Sequence, residues 1–247
     1  MDEPSIIIIG AGFAGLSAGI YAQMNGYRTQ IFEMHDKPGG LCTAWQRKGY
    51  TVDGCIHWLV GSSPQSGLHR YWREVGIAQA HDIIDLDEYM RYEADDGRTL
   101  VLYTDVDRLE QHMLDVSPQD AEPIRDFIQG IRMCLKLDPP IESDPLFRRV
   151  RKGLRFALKG RQIQTWLNTT TADVADRFQD PMIRAALRDM WFPDFSVFFM
   201  LFTFAYLHNK NAGYPIGGSM PMSETLARRY TDLGGEIRFG RRVEKVL

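Results

Sequence analysis

The chain has 247 residues, 44% hydrophobic and 25% charged, which is ordinary globular composition with room for one large or two small domains. A formal net charge of −3 gives nucleic acid no electrostatic footing as a global partner. The three cysteines, Cys42, Cys55 and Cys134, form neither a CxxC pair nor a metal spacing, and this usage points to a reducing compartment. The acidic opening at Asp2 and Glu3 is unlike a secretory signal, and no run reaches the roughly 18 to 20 apolar residues of a membrane span. The expected location is therefore cytoplasmic, with at most peripheral attachment at the inner face of a membrane. There is no internal repeat, and no metal site is expected.

Ser5 to Ile9, with four consecutive isoleucines, predicts a strand buried on both faces of a parallel sheet. Gly10 to Gly15 makes a turn. Ala14 to Asn25 predicts a helix with Leu16, Ile20 and Met24 on one stripe, closed by Gly26. Arg28 to Glu33 alternates into a second strand, completing a βαβ start. Trp45–Lys48 and Tyr50–Val52 are short extended pieces around Gly49. Tyr89–Ala94 and Arg98–Tyr103 form a hairpin around Asp95-Asp96-Gly97. Ser117-Pro118 opens a helix towards Leu137, Pro139-Pro140 breaks it, and Asp180-Pro181 opens another. Ser223 to Leu233 is a further helix closed by Gly234-Gly235, followed by strands at Glu236–Phe239 and Arg242–Leu247. This order predicts an α/β nucleotide-binding domain (residues 1–85 and 215–247) interrupted by a mostly helical α+β domain (residues 86–214).

The chemistry sits in Gly10-x-Gly12-x-x-Gly15, directly after a strand and directly before a helix. Gly10 permits the tight turn, Gly12 lets backbone approach a pyrophosphate, and Gly15 lets helix and strand pack closely. The free N–H groups of the helix start, from Phe13 and Ala14 onward, suit phosphate. Glu33 ends the second strand, where a carboxylate accepts hydrogen bonds from ribose hydroxyls and repels a 2′-phosphate. NADP is therefore disfavoured. A bare GxGxxG is weak evidence; strand, three glycines, helix and acid in this order leave a ligand-free βαβ unit a remote alternative.

The stretch IIIIGAGFAGLSAGIYAQMNGYRTQIFEMHDKPGGLCTAW, followed by GYTVDGCIHWL, resembles the phytoene desaturase and carotenoid isomerase group of flavoproteins. Tyr214 to Met220 resembles the P-x-GG turn midway through those enzymes, and LGGEIRFGRRVEKVL the strand pair that follows it. The resemblance is strong over residues 5–60 and 213–247 and weak between. It implies a glutathione-reductase-like FAD-binding fold with an inserted substrate domain. The glycine pair Gly39-Gly40 after the ribose acid favours FAD over NAD, because such a pair recurs in glutathione-reductase-like FAD families. Carried over, the cofactor-binding set is Gly10, Gly12, Phe13, Ala14, Gly15, Glu33, Met34, Gly39, Gly40, Leu41, Asp53, Gly54, His57 and Val243. Val243 falls where the family holds adenine by backbone, and Asp53-Gly54 where a turn approaches the flavin ring. His57 and Trp58 replace the small or apolar residues of carotenoid desaturases, which bears on the substrate and not on the cofactor. The family's C-terminal flavin segment is missing. The sequence thus reads as the N-terminal half of the fold, inactive by itself, with no nameable catalytic residue.

The resemblance implies an FAD-dependent oxidoreductase acting on a long apolar isoprenoid or polyene by desaturation, isomerisation or saturation. An amine-oxidase-like flavoprotein is one alternative. A non-enzymatic prenyl-binding relative, of the kind of the Rab GDP dissociation inhibitors, is another, opposed by the intact glycines and Glu33. His57 reads either as a donor to flavin or substrate or as a core or supporting histidine, and the cysteines as small apolar filler. Leu146 to Leu167 carries seven basic residues and no acid, interleaved with apolar ones. It reads as a solvated helical face, or as a surface for anionic membrane through Arg148, Arg149, Arg151, Lys152 and Arg155. Phe195 to Leu207, with five phenylalanines in thirteen residues, reads as a buried core helix, as the lining of an apolar substrate channel, or as both.

Overall fold

A computed structural model describes residues 4–142 and 144–246. The chain divides into two compact units, residues 1–84 with 214–247, and residues 85–213. The first unit begins with strand β1 (Ser5–Ile9), helix α1 (Phe13–Met24) and strand β2 (Arg28–Phe32). β1 and β2 run parallel, from Ser5 opposite Arg28 to Ile9 opposite Phe32. β1 lies at the sheet edge, and this corrects its predicted burial: Ile8 packs into the core, while Ile7 is 68% and Ile9 58% exposed. Strand side chains alternate between faces, so one helix layer covers only half of the isoleucine run. α1 buries Leu16 and Ile20, but Met24, expected on the same stripe, is exposed in the last turn.

The antiparallel pair β3 (Ala44–Arg47) and β4 (Tyr50–Asp53) turns at Lys48 and Gly49, both at positive φ. The two-residue strand β5 (Leu59–Val60), helices α2 (His69–Glu74) and α3 (Ile77–Ala80), and strand β6 (Ile83–Ile84) finish this part.

The second unit opens with the hairpin β7 (Glu88–Glu93) and β8 (Thr99–Tyr103), turning through Gly97 at φ +83°. Helices follow: α4 (Val106–Val116), α5 (Ala121–Leu135), α6 (Leu146–Leu158), α7 (Gly160–Leu167), α8 (Thr171–Ala175), α9 (Pro181–Met190) and α10 (Val197–His208). Ser117 does not cap α5 directly. Its hydroxyl donates to the Asp120 carboxylate at 2.7 Å, after a short 3₁₀ turn at Pro118–Asp120. Asp180 caps α9 as its sequence suggests, accepting from the Met182 and Ile183 amides with proline at the first helical position. Leu100, Leu102, Leu109, Phe127, Ile183, Leu201 and Phe204 centre this unit's own core. α10 is the predicted core helix, with Val197, Met200, Leu201 and Phe204 buried, although Phe195 and Phe199 reach solvent.

The chain returns to the first unit through strand β9 (Ala212–Pro215), which pairs Pro215 with Ile83 and Tyr214 with Ile84. Helix α11 (Ser219–Asp232) follows, then strand β10 (Glu236–Arg238), parallel to β2 on the side away from β1. α11 packs on α1 through the fully buried Tyr230, whose ring lies where a Cβ on Gly19 or Gly235 would stand. The Tyr230 hydroxyl and the Thr29 hydroxyl share a hydrogen bond of 2.8 Å. The predicted strand from Arg242 does not form. Residues 242–246 have no ladder partner among the described residues, and Leu247 lies outside them.

Candidate functional site

The site starts where β1 ends. Gly10 sits at φ +95°, a conformation only glycine adopts without strain, and its amide donates to the Phe32 carbonyl at 2.8 Å. Gly15 is required by packing, since a Cβ there would stand 2.0 Å from the Gly10 carbonyl oxygen. Gly12 differs from both. Its backbone is ordinary extended chain (φ −73°, ψ 173°), and the nearest atom to an added Cβ is 3.9 Å away. Neither strain nor internal packing demands glycine there. What the missing side chain leaves is a cradle in front of the first turn of α1. That turn begins at Phe13 and Ala14 with no side-chain cap on its N–H groups. The helix end thus presents donors and partial positive charge to this space.

The glycine pair closes the other wall. The Gly39 amide donates to the Ala11 carbonyl at 2.8 Å, Gly12 and Gly39 form an isolated parallel bridge, and the Gly40 site approaches the Gly12 Cα. Gly39 at φ +117° and Gly40 at φ +59° make this turn possible. Glu33 is buried beneath the loop. One carboxylate oxygen accepts from the Ala11 amide at 2.6 Å and the other from the His35 amide at 2.9 Å. Each oxygen keeps a lone pair for a hydroxyl donor. The turn after β10 lies alongside: the Arg241 amide donates to the Glu33 carbonyl at 2.8 Å and the Gly240 amide to that of His35 at 2.9 Å. Two residues on, half-buried Val243 makes no backbone hydrogen bond among the described residues. The cradle, the pinned acid and this open amide fit an adenosine diphosphate group. Met34 (54%) and Leu41 (89%) are exposed at the rim.

Asp53 is held inside the unit. Its carboxylate accepts from the Cys55 and Ile56 amides, from the Ser219 amide at 2.5 Å and from the Ser219 hydroxyl at 2.7 Å. Burial pushes its pKa up, but the bonds from Ser219, Cys55 and Ile56 outweigh that and hold it below the ordinary carboxylate value. Asp53 is therefore the anion at the start of α11 as well as a turn residue. This places the helix start at Ser219, four residues before the predicted Ser223. Gly218, at φ +77°, leaves room for it: a Cβ there would stand 2.2 Å from the Asp53 carboxylate. Exposed Gly54 lies against the Trp45 ring.

A cavity of about 290 Å³ lies between these elements, lined by Phe13, Cys42, Cys55, Ile56, His57, Trp58, Leu59, Ser219 and Met222. His57 is exposed at its edge, its ring 5.6 Å from that of Trp58, and so is not a core histidine. Ala11, Ser219, Ser223 and the cysteine pair were not singled out as site residues by sequence. The usable signal was the serine directly after Gly217-Gly218, a hydroxyl at a helix start. In the second unit, a cavity of about 920 Å³ is lined by residues of α5, α6 and α7, including Met133, Arg155, Leu158 and Trp166, and by Leu137 just after α5. The α10 phenylalanines do not line it. Among the described residues no helix is long and apolar enough to cross a membrane, and no three acidic, histidine or cysteine side chains cluster to hold a metal ion.

Comparison with known proteins completes the picture. The model of an NAD(P)-binding Rossmann-like domain matches residues 8–75. The lycopene-forming phytoene desaturase of Pseudescherichia vulneris is 25% identical over 250 residues, covering 98% of this chain and 50% of that enzyme. A putrescine oxidase structure superposes with a TM-score of 0.53 at 16% identity, covering 96% of this chain and 50% of the other. A Rab GDI of Plasmodium falciparum reaches 0.52 at 10% identity, covering 99% and 59%. These structural likenesses establish the fold, a Rossmann-like FAD-binding one. The chain spans about half the length of the curated relatives it matches. Along nearly its whole length, and on this Rossmann-like fold, the chain is similar in sequence to phytoene desaturases at 23–25% identity.

Proposed function

We propose that this chain holds the adenosine diphosphate half of FAD in an oxidoreductase that desaturates, isomerises or saturates a long apolar isoprenoid or polyene. The observation that carries the reading is Gly12, a glycine that neither strain nor packing requires, set between the open end of α1 and the Gly39-Gly40 turn. In this reading the amides of Phe13, Ala14 and Gly15 meet the pyrophosphate. Gly40 and Leu41 border it, and Glu33 with neighbouring Met34 receives the ribose. The Val243 backbone meets adenine. Asp53-Gly54 and His57 border the flavin side. Bound FAD supplies the two-electron redox chemistry, and the chain supplies orientation and a place shielded from water. The polyene class is supported by the relatives named as phytoene desaturases. The test is the visible absorption spectrum of the purified protein against its Gly12→Val variant. Wild-type protein carries flavin, and the valine, standing where the pyrophosphate lies, removes it. Equal flavin content in a folded Gly12→Val protein would overturn the assignment.

We further propose that the second unit meets an anionic bilayer surface through α6. Leu146, Phe147, Val150, Leu154 and Leu158 are all exposed and share roughly a third of the helix circumference. Arg148, Arg149, Arg151 and Arg155 are exposed around them. Lys152 does not belong to this face. It is buried on the opposite side, paired with Asp138 at 2.7 Å and Asp144 at 2.6 Å. A long isoprenoid gains about 0.8 kcal/mol per buried CH₂, which favours collecting it at a bilayer. The 920 Å³ cavity shares Arg155 and Leu158 with α6.

A further inference from the structure

Cys42 and Cys55 stand opposite one another just beyond the end of a ladder. The β3–β4 register pairs Ala44 with Asp53, and the Gly54 amide donates to the Thr43 carbonyl at 3.0 Å. One step further along the same register, Cys42 faces Cys55. Neither exchanges backbone hydrogen bonds with the other, so this is a non-hydrogen-bonded position, where cross-strand side chains stand closest. The two sulfurs are 3.2 Å apart, and both thiols are free and half-buried on the wall of the 290 Å³ cavity. Cys134, by contrast, is fully buried in the core of the other unit.

We propose that Cys42 and Cys55 are a reversible thiol–disulfide pair, a modification site for small hydroperoxides on the cavity wall. The site belongs to the chain itself and does not rest on the cofactor reading. Burial and the bond to Cys55 push the Cys42 thiol up to about 12, which disfavours its thiolate and gives Cys42 the resolving role. The Cys55 sulfur attacks the terminal oxygen of the hydroperoxide, and its proton passes to the leaving oxygen. An S–O bond forms, the O–O bond breaks, and the other oxygen leaves as alcohol, or as water from hydrogen peroxide. Cys55 is now a sulfenic acid. The Cys42 sulfur attacks it, the S–O bond breaks, and the hydroxyl leaves as water with the Cys42 proton. Two thiols have lost two hydrogens and two electrons, and the peroxide has been reduced by the same two electrons. A dithiol reductant reverses the bond by thiol exchange. The link ties the strand that leaves Gly39-Gly40 to the turn that follows Asp53, across the cavity lined by Phe13 and His57.

The experiment is a peptide map of the full chain, purified reduced, exposed in its folded form to hydrogen peroxide, and digested with trypsin without reduction. Cleavage after Arg47 and Lys48 separates the two cysteine peptides unless they are linked. The expected result is a joined Cys42–Cys55 peptide as the dominant oxidised species, lost on adding dithiothreitol, with Cys134 still a thiol. In Cys42→Ser, the sulfenic acid has no resolving partner, and trapping by dimedone at Cys55 rises severalfold over wild type. Peroxide that leaves both cysteines reduced, or carries them to separate sulfinic and sulfonic acids without a joined peptide, overturns the proposal. So does a comparable yield of Cys134-linked peptides. Should Cys42→Ser fail to fold, the wild-type map still decides.

Discussion

Gly12 and Gly15 lie three residues apart and answer to different constraints, which separates ligand effects from folding effects. Gly15→Ala drives a methyl group onto the Gly10 carbonyl, and we expect a loss of about 1–3 kcal/mol in stability, read as a lower midpoint in urea. Gly12→Ala comes no nearer to the chain than ordinary contact, 3.9 Å from the Gly39 carbonyl oxygen, so its midpoint should stay within about 0.5 kcal/mol of wild type while any flavin is weakened. Equal destabilisation by the two alanines would mean that Gly12 is a folding residue after all. Asp53 gives a pH signature. Its folded-state pKa is depressed, so its stabilisation is complete above the ordinary carboxylate value of about 4 and fades as the pH falls through the folded-state value. Asp53→Asn should cost about 2 kcal/mol at neutral pH and flatten the acid limb of the stability profile. A variant whose acid limb matches wild type would show that the Ser219 contacts carry no charge dependence. The glycine loop and Glu33 were legible because their geometry is local: strand, turn and helix within one short stretch. The Asp53–Ser219 link was not, since it joins residues 166 positions apart and no sequence period records it.

Helix α6 shows why periodicity alone underdetermines placement. Its residues establish an amphipathic helix, but the apolar stripe faces outward and a lysine faces inward, opposite to the arrangement of a helix on a core. What reverses it is the pair Asp138 and Asp144, which neutralise Lys152 on the inner side. Lys152→Met should therefore destabilise the second unit by about 1–3 kcal/mol, because Asp144 is left buried without its cation. This is checked by following helix content against temperature. Changing Arg148, Arg149, Arg151 and Arg155 to Glu should leave that melt unchanged and abolish salt-sensitive sedimentation with anionic liposomes, each cation contributing about 1 kcal/mol near such a surface. Liposome binding that survives the four changes would remove α6 from the membrane proposal. Strand ends were the least legible elements. β5 and β6 are too short to show a period, and the run from Arg242 has strand composition without a neighbour among the described residues to make it one.

At the scale of the molecule, each unit carries its own core, one around Leu16, Ile20, Met222 and Tyr230, the other around Phe127, Ile183 and Phe204. The chain leaves the first unit after Ile84 and rejoins it at Tyr214, and these two residues face each other across the β6–β9 pair. Opposed positions in such a pair are only about 4.5–5.5 Å apart. Replacing residues 86–212 by a short glycine-serine turn should thus leave a folded first unit with a cooperative melt. An aggregated or molten product would show that the first unit depends on the second. This placement also bears on descent. A module tied to its host at two adjacent strand positions is free to grow, shrink or be exchanged while the ends stay fixed. Lineages can then vary the inserted unit on an unchanged Rossmann-like frame, and sequence should drift fastest between Asp85 and Gly213.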